Sequence, residues 1–127
     1  MAFEPMLFAD DVEATSRWYG HMLGLRSAHG GPHYEMLMDA EGALALQLHH
    51  ADAEEHGGAR LPDGAARGAG VLLYFRTDDV RAAYARALEL GAVTEGEPAF
   101  INLAGHTEFV VRDPDGYAIA VYQRGPA

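Results

Sequence analysis

The stretch Leu7-Phe8-Ala9-Asp10-Asp11-Val12-Glu13-Ala14 returns as Phe75-Arg76-Thr77-Asp78-Asp79-Val80-Arg81-Ala82, with the two Asp-Asp-Val triplets 68 positions apart. Self-similarity at a fixed spacing marks a repeated structural unit, and here it continues along the chain. Leu23-Gly24 and Leu90-Gly91 match at 67 positions, one residue having been lost in between. Asp39-Ala40-Glu41-Gly42 then matches Asp113-Pro114-Asp115-Gly116. Each copy reads as a strand, a helix, and strands around an acidic-Gly turn.

Local periodicity agrees. After Asp78 and Asp79, either of which can cap a helix with its carboxylate, Val80, Ala83, Tyr84, Ala87 and Leu88 recur at helical spacing, and Gly91 is the expected residue just past the end. Val12, Thr15, Tyr19, Met22 and Leu23 trace the same stripe in the first copy, closed by Gly24; Arg17, Arg86 and Glu89 fall off the stripes and are expected in solvent. Strands alternate with period two. Leu44, Leu46 and Leu48 share one face and call for a helix above it, leaving Ala45, Gln47 and His49 on the other. Ile119 and Val121 likewise oppose Ala118, Ala120 and Tyr122. Between the copies, residues 51–70 hold five glycines and hardly any large apolar side chain, which predicts a connecting loop between a module at about 3–50 and another at about 71–124 of one domain.

Composition excludes whole classes of chemistry. The chain has 127 residues, 49% of them hydrophobic, enough for one globular core. Nine cationic and nineteen acidic side chains give a net charge of −10, and every cation is arginine. A nucleic acid partner is not expected, since no basic cluster exists to displace counterions from phosphates. Without lysine there is no Schiff-base chemistry, and without cysteine no disulfide, thiolate nucleophile or zinc knuckle. Ser16 and Ser27, the only serines, lie in no nucleophile-elbow context. No apolar run approaches the length of a membrane span, so the reading is a cytoplasmic protein with no membrane partner.

A duplicated βαβββ unit with Asp-Val opening its helix, Trp18-Tyr19 and Leu23-Gly24-Leu25 along it, and Asp113-Pro114-Asp115-Gly116 before the last strand resembles the vicinal oxygen chelate superfamily of glyoxalase I, extradiol dioxygenases and bleomycin-resistance proteins. The resemblance runs from about Glu4 to Gln123. It implies an α+β fold in which two βαβββ modules curl into a half-open, barrel-like sheet around a cavity, with the helices outside, and a homodimer as the usual assembly.

The resemblance also implies four strand positions at which metal-using members hold a divalent cation. Counted along the motifs of this chain they fall on Glu4, Gln47, Leu72 and Ala120. Leucine and alanine have no electron pair to donate, and two oxygen donors fall short of the ligand count that zinc or harder cations require. No cofactor is therefore expected. The exception is a remodelled divalent-metal site from Glu4, Gln47 and His49, set against the reading that His49-His50 is a solvated pair at a strand end. His33 and His106 fall near strand ends, and His21, His29 and His56 read as surface or loop residues.

Glu4, if desolvated, would suit a general base or a receptor for a cation, and Arg76 would be its partner or a clamp for an anion. Met6, Phe8, Tyr74 and Tyr122, with Met36 and Met38, are candidates for an aromatic and thioether lining beside Gln47, His49, Leu72 and Ala120. Trp18, off the helical stripe, is a candidate interface anchor. Two uses of such a cavity follow. One is a metal-free binding protein of the bleomycin-resistance type that sequesters a flat aromatic or cationic small organic molecule. The other is a glyoxalase- or dioxygenase-like lyase or oxygenase with a rebuilt metal site or Glu4 as base.

Overall fold

The computed structural model describes residues 1–52, 56 and 65–127. The chain divides into two compact units, Met1–Ala65 and Ala66–Ala127. The first carries β1 (Met6–Ala9), α1 (Val12–Leu23), β2 (Arg26–Ser27), β3 (Tyr34–Met38) and β4 (Leu44–His50). The second carries β5 (Leu73–Arg76), α2 (Val80–Glu89), β6 (Ala99–Ile101), β7 (His106–Arg112) and β8 (Ala118–Arg124). Both units are thus βαβββ, and the fold is α+β. Most of the expected linker, 53–55 and 57–64, lies outside the described residues.

The repeat holds down to hydrogen bonds. Asp11 and Asp79 cap their helices, Oδ1 accepting from the N–H of Ala14 at 3.0 Å and of Ala82 at 2.9 Å. At the end of α2 the N–H of Gly91 bonds to the carbonyl of Leu88 and that of Ala92 to Ala87, the paired bonds that close a helix at a following glycine. The two acidic turns are the same object. Asp39 Oδ1 accepts from Glu41 and Ala43, and Asp113 Oδ1 accepts from Asp115 and Tyr117, all at 2.8–3.0 Å. Gly42 and Gly116 sit at φ of 83° and 96°, the left-handed region that a turn of this shape demands and that other residues enter only with strain.

Each unit has one open four-stranded sheet. The order is β1-β4-β3-β2 in the first and β5-β8-β7-β6 in the second, with the first strand parallel to the last and the remaining pairs antiparallel. One helix covers one face of its own sheet. In the first unit Val12, Tyr19 and Met22 of α1 are fully buried together with Leu37, Leu46 and Leu48. In the second, Val80, Ala83 and Ala87 of α2 are buried with Phe109, Val111, Ile119 and Val121, and Tyr84 meets Phe109 edge-on at 5.3 Å. Leu88 departs from the helical stripe expected of it: one residue from the end of α2, it is 57% exposed. Among the described residues no helix is long and apolar enough to cross a membrane.

Candidate functional site

The helix-free face of each sheet carries the candidate residues, and register decides which of them share it. In the first unit Met6 lies opposite Gln47 and Phe8 opposite His49, while Tyr34 and Met36 flank His49 and Gln47 on the other side. In the second unit Tyr74 lies opposite Ala120 and Arg76 opposite Tyr122, with Glu108 across from Tyr122 on β7. Because strands alternate, the leucines and valines named above take the helix side and these residues take the other.

In the first unit Gln47 is committed at both ends of its amide. Its Oε1 accepts from the hydroxyl of Tyr34 and its Nε2 donates to the backbone oxygen of Glu4 at 3.0 Å. Glu4 itself precedes β1 in exposed chain. Burial, then the negative charges of Glu4 and Glu35, push the Tyr34 hydroxyl above its ordinary pKa, so it remains a donor. His49 is buried, which corrects the expectation of a solvated pair: its ring meets those of His33 at 5.0 Å and His56 at 4.8 Å, with Phe8 and Tyr34 just over 6 Å away. Packing by neighbouring rings has replaced water around it.

In the second unit a compact polar group sits among aromatic rings. Glu108 Oε1 accepts from the Tyr74 hydroxyl at 3.0 Å and lies 2.6 Å from His106 Nε2. The Tyr122 ring is 5.6 Å from that of Tyr74 and 4.7 Å from that of His106. Burial, then the hydrogen bond and charge of Glu108, raise the Tyr74 pKa and keep the phenol protonated. At the ends of β5 and β8, a depression of about 340 Å³ is lined by Arg76, Thr77, Asp78, Gln123 and Arg124. No hydrogen bond or ion pair is made by Arg76 or Arg124 among the described residues, whereas Gln123 accepts the first N–H of α2, from Val80, at 3.0 Å.

The donor set at the four positions implied for a metal does not fit a cation. Leu72, just ahead of β5 and exposed, and Ala120, fully buried in β8, offer only hydrocarbon. Gln47 has spent its oxygen on Tyr34. Among the described residues no three His, Cys, Asp or Glu side chains gather as a metal site.

The sequence matches the Glyoxalase/Bleomycin resistance protein/Dioxygenase superfamily over residues 3–121. The chain belongs to this superfamily. Superfamily membership agrees with the solved structures it is similar to. A protein of unknown function from Agrobacterium tumefaciens str. C58 is 26% identical, with a TM-score of 0.77 over 97% of this chain and 94% of that one. A glyoxalase/bleomycin resistance protein/dioxygenase family enzyme from Burkholderia phytofirmans PsJN is 19% identical, with a TM-score of 0.75 over 94% and 95%. A protein from the mobile metagenome of V. Pseudocholerae is 24% identical, with a TM-score of 0.74 over 99% and 95%. No curated protein matches.

Within this superfamily fold, two acidic residues that motif reading passes over turn out to organise their surroundings. Glu108 shares a face with His106 two residues away, and that period-two pairing of an acid with an imidazole was the available signal. Glu35 is buried on the helix side of β3 beside Leu37, an acid on an apolar face. Its Oε2 accepts from Ser16 at 2.8 Å and Ser27 at 2.6 Å, and its Oε1 from the N–H groups of His29, Gly30 and Met36 at 2.9–3.1 Å. Burial alone pushes this carboxyl up, but the hydroxyl of Ser27, the N–H of Gly30, the hydroxyl of Ser16 and the N–H of His29 outweigh it and hold it at about 2. Fully enclosed by its own fold, Glu35 is a structural anion.

Proposed function

We propose that this member of the superfamily is a metal-free small-molecule-binding protein of the bleomycin-resistance type, holding a flat aromatic or cationic compound against the helix-free face of a sheet. One observation carries the reading. At the positions where a metal-using member would present ligands, this chain presents the hydrocarbon of Leu72 and Ala120, with the rings of Tyr74 and Tyr122 beside them. Aromatic rings with a carboxylate such as Glu108 among them offer stacking and charge complementarity without a metal. A homodimer in the cytoplasm is the setting in which we place it, and the net charge of −10 favours a cationic ligand over an anionic one.

Titration of the purified protein with a panel of flat aromatic dyes and cationic antibiotics, read by tyrosine and Trp18 fluorescence, tests it. Binding at micromolar concentration or tighter is expected for some of the panel, weakened about tenfold or more in Tyr122→Ala, an anchor ring of the site. Silence across a broad panel overturns the reading. So does stoichiometric metal that survives dialysis and is lost in Glu4→Ala or His49→Ala.

A further inference from the structure

Of the polar groups on the two helix-free faces, the Glu108 cluster has the geometry of a proton-transfer site. Glu108 is ionisable, and its Oε1 is bracketed by two groups, the phenol of Tyr74 and the Nε2 of His106. An imidazole nitrogen 2.6 Å from a carboxylate oxygen carries the hydrogen, so the neutral ring keeps its lone pair on Nδ1. Nδ1 and the second carboxylate oxygen, Oε2, have no partner among the described residues, and no buried side-chain nitrogen or oxygen there goes without one. Both atoms therefore open onto solvent. His106 and Glu108 side chains are nonetheless only 15% and 11% exposed, a partly dry setting in which a carboxylate orients an imidazole and stabilises its cation.

We propose that His106 is a metal-independent general base, with Glu108 as its positioning residue and Tyr74 holding the Glu108 carboxylate. The substrate class is an aromatic or conjugated molecule, stacked on Tyr122, that bears an acidified C–H or O–H. Nδ1 takes that proton, the imidazolium is held against Glu108, and the electron pair of the broken bond stays on the delocalised ligand. No metal or oxidant enters the balance. Glu108 on its own strand, Tyr74 on β5 and Tyr122 on β8 meet His106, and Arg76 and Arg124 lie farther along the same sheet face; on β6 its register partner is the untitratable Ile101. The two arginines lie towards the strand ends beside the depression of about 340 Å³ and add positive field where an anionic product forms.

The inference rests on the binding face proposed above and goes past it, so the test reads both. The probe is 5-nitrobenzisoxazole, a flat aromatic whose ring opens when a base removes its one activated C–H proton. The C–H pair becomes part of a nitrile, the N–O bond breaks, and its electrons leave on a coloured phenolate. We expect the intact protein to accelerate this about a hundredfold over buffer at equal pH. His106→Gln should return the rate to background while still binding the probe, and Glu108→Gln should lower it about tenfold or more and displace the pH profile. Melting temperatures of both variants check that they fold. Probe binding by fluorescence without acceleration, or acceleration that survives His106→Gln, overturns the general base and leaves the binding reading standing; absence of both binding and acceleration, for this probe and for the panel, removes both.

Discussion

The hydroxyl of Ser16, in the middle of α1, donates to Glu35 Oε2 across 2.8 Å, tying the helix to β3 through a buried carboxylate that four further donors also reach. That single anion joins the helix, the edge strand β2 through Ser27, the loop at His29–Gly30, and its own strand. An unsatisfied carboxylate in this position would be strongly destabilising, and the fivefold satisfaction turns it into a clamp.

Acid should therefore release the first unit through Glu35. Its ordinary value is 4.5 and the folded protein holds it at about 2. Since the unfolded chain takes up the proton first, the contribution is complete above about pH 5 and fades as pH falls from 4.5 towards 2. A difference of this size corresponds to about 3 kcal/mol at neutral pH. Urea denaturation across pH 7 to 3 should show the decline, and Glu35→Gln should be less stable at pH 7 yet flatter over that range; an unchanged slope in the variant counts against the assignment.

Removing one donor at a time should grade the effect. Ser16→Ala leaves the carboxylate short of a hydroxyl that is itself buried, and is expected to cost about 1.5–3 kcal/mol, the scale for hydrogen bonds to charged groups. Ser27→Ala, on an exposed strand, should cost less. Thermal melts with matched urea titrations read the order, and equal or reversed losses contradict it.

The paired turns predict a paired response. Asp113 and Asp39 each hold two backbone N–H groups, but Asp113 is 5% exposed and Asp39 only half-buried. Asp113→Ala should cost about 2–3 kcal/mol and Asp39→Ala nearer 1, since freed donors at the second site reach water more easily. Gly116→Ala and Gly42→Ala should each cost about 1 kcal/mol through the left-handed backbone.

Tyr74 should be among the last tyrosines to ionise. Burial leads, and the hydrogen bond and charge of Glu108 add to it, all raising its pKa. A folded-state value above that of the unfolded chain gives stability that is present below pH 10 and is lost as pH rises through the folded value. Ultraviolet titration of the phenolate band should show one late tyrosine moved back towards its ordinary value in Glu108→Gln and absent in Tyr74→Phe. Tyr34, raised chiefly by burial and then by Glu4 and Glu35, should stay late in both.

Chelators should do nothing. With hydrocarbon at Leu72 and Ala120 and the Gln47 amide engaged, dialysis against a strong chelator is expected to leave the melting temperature where it was. A drop that a divalent cation restores would reveal donors gathered elsewhere.

Much of this fold is legible along the chain because its determinants act within a few residues. The Asp11 and Asp79 caps, the closing glycines and the Asp-x-x-Gly turns bridge three or four positions, and alternation along Leu44–His50 names the face that a helix must cover. Leu88 marks the limit of such local signals: helical periodicity assigns it to the apolar stripe, yet it sits one residue from the end of α2 and is 57% exposed.

The sites followed a different rule. Tyr74 and Glu108 are 34 residues apart and Ser16 and Glu35 are 19 apart, and strand register joins each pair. A one-residue slip in β7 would carry Glu108 to the helix side and His106 with it, with no change in composition or local preference. The chain alone determined the duplicated βαβββ unit, its caps and its turns, because those are short-range hydrogen bonds and hydrophobic periods. Only tertiary structure decided that Glu35 is a sealed anion, that His49 is buried among rings and that Glu108 meets His106 and Tyr74, because such contacts depend on which strands pair and in what register.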